Sequence, residues 1–256
     1  MDRLKMVMRL NAVSCVSFGL LFIVLPQAVA GFLGDVPRAV ILFLGLGLLG
    51  NGGHLSVASS RAGILKAEVI WFSLGDFLWW LASFGLIAAH IWITTPWGIF
   101  ATVVVAVMVG ALGVVQLWIL GLRAHGNTVK EHFSAIGASW MALPLWVMVW
   151  LVMLNATFLA AFAFLPDRIG EVTLLAYVAT APLLAGQVGH DAGLRRILGL
   201  AHLVPWVPLL IWLVLVPPAT PYTLLLTGVL AICLAFDVND LRLFLKGDRK
   251  VLGAGA

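Results

Sequence analysis

Charge is scarce in this sequence. Asp, Glu, Lys and Arg make up 10% of its 256 residues, where soluble domains carry about 25%, and that excludes a water-facing globular fold. The net charge of +4 is spread over short loops and never gathers into a patch, so nucleic acid is excluded as a partner. Cysteine is nearly absent too. The 2 present, Cys15 and Cys233, each stand alone in an apolar run, and neither belongs to a C-x-x-C. A disulfide framework, a zinc ribbon and thiol–disulfide exchange all fall away, which leaves both as small apolar packing residues.

Catalytic motifs are missing as well. No H-E-x-x-H, histidine box, G-x-S-x-G or G-K-[ST] occurs. Zinc proteases, di-iron desaturases, serine hydrolases and P-loop enzymes therefore lack their ligands or nucleophile. No lysine lies near the centre of an apolar run, so a retinal Schiff base has no amine. The polar intervals are too short for a soluble catalytic domain, and a non-enzymatic role is the favoured expectation.

What the chain has is apolar length. Residues of the hydrophobic class make up 62%, and 11 Trp suit membrane interfaces. Runs of about 17–25 apolar residues, each long enough to cross a bilayer, mark eight spans. These are Leu10–Leu25, Ala39–Ala58, Lys66–Trp92, Trp97–Leu122, Met141–Leu165, Val172–Gly189, Ile197–Val216 and Tyr222–Phe244. The expected fold is all-α: a polytopic helical membrane protein with eight transmembrane helices. The first run follows a basic N-terminus but has no small-residue cleavage site after it, so it reads as a retained span. Of the 15 Lys and Arg, only Arg38 and Arg168 fall in intervals that lie outside when the N-terminus is inside. This asymmetry predicts cytoplasmic N- and C-termini.

The longest polar connection, RAHGNTVKEHFS from Arg123 to Ser134, divides the chain into halves. The expected domains are 1–122, a cytoplasmic linker over 123–135, and 136–256. Leu10-Asn11-Ala12 with Leu25-Pro26 echoes Leu154-Asn155-Ala156 with Leu165-Pro166, and Gly53-His54 echoes Gly189-His190. Two four-helix halves related as a parallel tandem repeat would produce such echoes, as would any fused dimer.

One stretch carries the sharpest signal. In Lys66–Trp92, Glu68, Asp76, Ser83 and His90 fall within an arc of about 80° at helical spacing. The rest of that arc is apolar or aromatic, including Phe72 and Trp79. A charge at membrane depth costs about 2.5–3.5 kcal/mol on insertion scales, so Asp76 should face protein or water. It reads either as a proton- or cation-handling group or as an acid that joins spans through Asn155, Gln116 or Thr180. The candidate substrate or ion path is therefore Asp76, Glu68, Ser83, His90 and Asn155. Haem would need two histidines at one depth on facing helices. His54 and His190 both lie near the cytoplasmic ends of their spans, His202 is deeper and His90 is at the opposite face. Interfacial histidines of this kind read as hydrogen-bonding to headgroups or loops. No cofactor and no metal site is expected. Asp237 and Asp240 share a helix face near the end of the last span and read as a cytoplasmic rim beside Arg242.

Arg9-x-Asn11-Ala12 with Gly19 and Pro26, followed by Asp76-x-x-Trp79-x-x-x-Ser83, resembles a group of small bacterial four-span integral membrane proteins of uncharacterised activity. The resemblance covers residues 1–122 and implies a bacterial inner membrane but no known chemistry. The second half has no counterpart of the Asp76 motif and carries His202, Pro205, Trp206 and Pro208 instead. Two functional classes stay open. One is a transporter or small-molecule- or ion-binding membrane protein; the other is a non-catalytic accessory or scaffold subunit. The expected partners are the lipid bilayer and either a second copy of the chain or another membrane subunit.

Overall fold

The structure is a computed structural model that describes residues 2–253. Among those residues the chain is helical with no β-strand, apart from a single bridge between Arg195 and Val251. Eight helical segments are long and apolar enough to cross a membrane. The chain is an all-α, multi-pass helical membrane protein. It divides into two compact units, Met1–Leu120 and Gly121–Ala256.

The first unit opens with α1 (Arg3–Val24), capped by Asp2, whose Oδ1 accepts from the Leu4 amide at 3.0 Å. The helix therefore starts well before the apolar run at Leu10. Pro26 has no N–H to continue it and instead becomes the first residue of α2 (Pro26–Leu33). Next come α3 (Arg38–Ser60), α4 (Lys66–Ala89) and α5 (Pro96–His125). The turn between α4 and α5 docks on α2, with the Thr94 and Thr95 amides donating to Leu33 O at 3.0 and 3.2 Å. Gly34 makes this possible: its φ is 144°, and a Cβ there would sit 2.6 Å from Trp92 O.

Helices α1 and α3 make the closest pair in this unit. A Cβ on Gly45 would meet Gly19 O at 3.1 Å, and one on Gly52 would meet Ala12 O at 3.2 Å. In a bilayer the lipid is as apolar as leucine, so dispersion from such close backbone contact has to supply the association. Only part of the glycine-rich α3 is used this way, because Gly47, Gly50 and Gly53 have nothing within 4 Å of a built Cβ.

In the second unit the polar connection is largely helix. After α5 ends at His125, Thr128 and Glu131 form a capping box that starts α6 (Val129–Met141). His132 on α6 is fully buried, and its Nε2 lies 2.6 Å from Gly189 O. Next are α7 (Leu145–Leu159), continued by a 3-10 turn over Ala160–Phe164, then α8 (Arg168–Ala179) and α9 (Ala181–Asp191). Pro182 sits in the first turn of α9, so the sixth span is two helices end to end. A second 3-10 turn, Arg196–Leu198, leads into α10 (Gly199–Leu215), which carries Pro205 and Pro208 inside it. A Thr220–Thr223 capping box opens α11 (Pro221–Leu245).

Aromatic stacking holds this unit's core together. Phe158 lies between Tyr177 and Trp206, with ring centroids 5.1 and 4.6 Å away, and Phe164 stacks on Tyr222 at 4.2 Å. The segment after α11 is tied down through Asp248 and Leu252 as well. Leu252 N donates to Leu194 O at 2.8 Å, and Arg196 pairs with Asp240 and with Asp248, the latter at 2.7 Å. That contact holds the exposed Asp248 carboxyl below its ordinary value, the Arg196 hydrogen bond being the main cause.

Candidate intramembrane carboxylate site

Asp76 stands in the middle of α4 with 4% of its surface exposed. Asn11 Nδ2 on α1 donates to both of its oxygens, at 3.1 Å to Oδ1 and 2.9 Å to Oδ2. Gln116 Nε2 on α5 adds a third bond to Oδ2 at 2.9 Å. Three helices therefore converge on one carboxyl group. Helix α5 can come this near because it carries glycine where it crosses α4. A Cβ on Gly113 would meet Phe77 Cε1 at 2.9 Å and Asp76 Cβ at 3.0 Å, and one on Gly110 would meet Trp80 Cε3 at 2.7 Å.

The network extends through sulfur. Cys15 Sγ lies 3.7 Å from Asn11 Oδ1, and Asn51 Nδ2 on α3 donates to the same sulfur at 3.5 Å. Asn11 is thereby fixed at both ends of its amide: the oxygen accepts from the thiol while the nitrogen serves Asp76. Cys15 is buried, as an apolar packing residue would be, but it also belongs to a polar network. Gln116 Oε1 and Ser73 Oγ are buried with no hydrogen-bond partner in the structure, so this region retains acceptor capacity.

Beside this network lies a cavity of about 270 Å³ lined by residues of α1, α3, α4 and α5. Asp76, Asn51, Ser14 and Cys15 form its polar wall, and Phe18, Trp71 and Trp79 form its aromatic one. Trp71 and Leu78 at its edge are 65% and 67% exposed. The cavity therefore reaches the apolar outer surface of the helices as well as the carboxylate.

The other sequence-predicted residues are placed differently. Glu68 Oε1, at the start of α4, pairs with Arg61 at 2.6 Å and with His54 at 3.2 Å, forming a separate charged cluster at the helix end. Ser83 is buried on the same face as Asp76, two turns further on. His90 leaves that face altogether. α4 ends at Ala89, and His90 is its exposed cap with a left-handed φ of 54°. Asn155 lies in the second unit, where it accepts from Tyr177 Oη and donates to Leu151 O at 2.7 Å. Thr180 donates to Tyr177 O at 2.6 Å. The arc drawn from sequence covers only part of the buried face of α4. The buried residues run from Phe72 through Asp76 and Trp80 to Phe77, a sector of about 140° at helical spacing.

Asn11 is the principal residue missed as a partner of Asp76. Its signal was an amide in an otherwise apolar stretch of the first span, within the Arg9-x-Asn11-Ala12 motif. In the second unit, Asp237 does not belong to a rim. It is buried against His202 and Cys233, while Asp240 turns to Arg196. No protein-family model, curated protein or solved structure matches the chain, so the reading of these sites rests on their geometry.

Proposed function

We propose that the protein is a transporter or small-molecule-binding protein of a bacterial inner membrane. In this reading its first unit receives a small organic cation at Asp76, and both chain ends lie in the cytoplasm. The observation that carries it is the joint lining of one cavity by a buried carboxyl group and the rings of Trp71, Trp79 and Phe18. A carboxylate supplies the countercharge, aromatic faces attract a desolvated cation through their quadrupoles, and the two together suit an amine or quaternary ammonium group. Exposed Trp71 and Leu78 at the edge favour entry from the lipid side by a partly apolar molecule. The amide donors of Asn11 and Gln116 hold the carboxyl group in one orientation before any ligand arrives. No cofactor is assigned to this site.

A second reading is favoured by the same three hydrogen bonds. A carboxyl group so fully paired can serve simply to join α1, α4 and α5. The protein would then be an accessory or scaffold subunit, meeting a second copy or another membrane subunit through its exposed apolar faces.

Infrared difference spectra of the protein in lipid nanodiscs, with and without benzyltrimethylammonium, separate the two. The ligand-binding reading expects a carboxyl or carboxylate band that shifts on addition and is lost in Asp76→Asn. A spectrum in which no band assignable to Asp76 responds, with the variant folded as the wild type, would leave the accessory reading standing.

A further inference from the structure

A second group of chemically active side chains lies in the second unit, at the start of α10 and towards the end of α11. His202 Nδ1 is 3.3 Å from the Asp237 carboxylate, and Cys233 Sγ is 3.6 Å from Asp237 Oδ2. The three donor atoms, imidazole nitrogen, sulfur and carboxylate oxygen, all lie within 4.8 Å of one another. We propose that His202, Cys233 and Asp237 bind a single divalent ion of the zinc class, independently of the Asp76 site.

The separations fit that chemistry. Zinc bonds of about 2.0–2.3 Å in tetrahedral array put neighbouring ligand atoms about 3.3–3.6 Å apart. The contacts at 3.3 and 3.6 Å already meet that spacing, so a metal needs only the imidazole and the sulfur to close on each other. The donor set is borderline-soft, mixing nitrogen, sulfur and oxygen, which favours zinc-class ions over magnesium or calcium. Charge balance agrees. A thiolate and a carboxylate carry two negative charges, and a divalent ion cancels both in surroundings where an uncompensated charge is costly. Binding releases the thiol proton to solvent, leaving Cys233 as thiolate. Three protein ligands leave a fourth coordination position for water or a further ligand.

The scaffold around these groups is firm. Cys233 and Asp237 are four residues apart on α11 and so present their side chains on one face. Gly199 lets α10 start directly against them, since a Cβ there would lie 3.0 Å from Asp237 Cα. The His202 ring stacks on Trp206 with centroids 4.3 Å apart and planes 13° from parallel. Trp206 is in turn held by Nε1 donating to Ala176 O at 3.2 Å. Such outer contacts fix the orientation of a ligating imidazole. Sequence spacing hides the set, because the ligands come from two helices and form no short motif.

Cobalt(II) titration of the purified full-length chain, stripped with chelator beforehand, tests this. The readout is thiolate-to-cobalt charge-transfer absorption, with bound metal counted by elemental analysis. One cobalt per chain is expected, with the band displaced by one equivalent of zinc. The band should persist in Cys15→Ser and Asp76→Asn and vanish in Cys233→Ser, and His202→Gln and Asp237→Asn should each weaken binding at least tenfold. Because the chain has 2 cysteines, the Cys15→Ser variant alone assigns the band to Cys233 even if Cys233→Ser fails to fold. Absence of the band in the wild type, its loss in Cys15→Ser, or its survival in folded Cys233→Ser would overturn the proposal.

Discussion

Replacing Asn11 by alanine strips Asp76 of two of its three hydrogen-bond contacts, those at 3.1 and 2.9 Å, and leaves the 2.9 Å bond from Gln116. A hydrogen bond to a charged group contributes about 1.5–3 kcal/mol in water-soluble proteins, while bonds between membrane helices average about 0.6 and reach about 1.7 kcal/mol. One bifurcated donor in a buried site should fall between these, so Asn11→Ala is expected to cost about 2 kcal/mol. Part of that is the space left by the missing amide, which a double-mutant cycle with Asp76→Asn removes. In Asp76→Asn the single amide oxygen stays with Gln116, and the new NH₂ group meets the NH₂ of Asn11. The second substitution then removes little, about 0.5 kcal/mol, and the coupling is about 1.5 kcal/mol. Reversible unfolding in bicelles, measured by steric trapping on all four proteins, reads this directly. A coupling below about 0.5 kcal/mol, the usual scatter of additive sites, would show that the geometry around Asp76 does not hold α1 to α4.

Three further outcomes are expected. Gly113→Ala should destabilise by about 1–3 kcal/mol, because its Cβ meets Phe77 and Asp76 at 2.9 and 3.0 Å, whereas Gly50→Ala, with nothing within 4 Å, should be neutral or slightly stabilising in the same thermal melts. His132→Ala should cost about 2–4 kcal/mol in those melts, because it empties a fully buried site and leaves Gly189 O without its 2.6 Å partner. The Asp248 carboxyl is held below its ordinary value by Arg196, so its contribution is present above the unfolded-chain value of about 3.9 and fades as pH falls through the lower folded one. The protection of the Leu252 amide, bonded to Leu194 O, measured as its exchange rate relative to the intrinsic rate at each pH, should therefore fall on acidification, and should be weak already at neutral pH in Asp248→Asn.

The number and approximate extent of the spans were legible because bilayer thickness dictates the length of an apolar run, and composition alone reports that. Which face of each span is buried was not legible. In a soluble helix the exposed side is polar and the pattern declares the core, but here lipid-facing Leu74 and Leu78 are as apolar as buried Phe77 and Ile87. The arc through Glu68, Asp76 and His90 leaned on the few polar residues of α4, and two of them belong to its ends. Glycine posed the same difficulty. Gly45 and Gly52 touch α1, while Gly47, Gly50 and Gly53 do not, and no local feature separates the two sets. The α6 region reads as a linker because it is polar, yet its Thr128–Glu131 capping box was visible as T-x-x-E. The cysteines were read by residue type, although each has a polar neighbour four residues away on its own helix, Asn11 for Cys15 and Asp237 for Cys233, and helical spacing brings the two into contact.

The spacing of the Asp76 partners along the chain also bears on synthesis. Asn11 precedes Asp76 by 65 residues, whereas Gln116 follows it by 40. At about 5–20 residues per second, α4 is delivered to the membrane about 2–8 s before the glutamine that completes its network exists. Throughout that interval, of the two amides that bond the carboxyl group in the finished structure, only Asn11 on α1 has been made. The α1–α4 half of the network can therefore form before the α5 half, and Gln116 supplies the last of the three bonds.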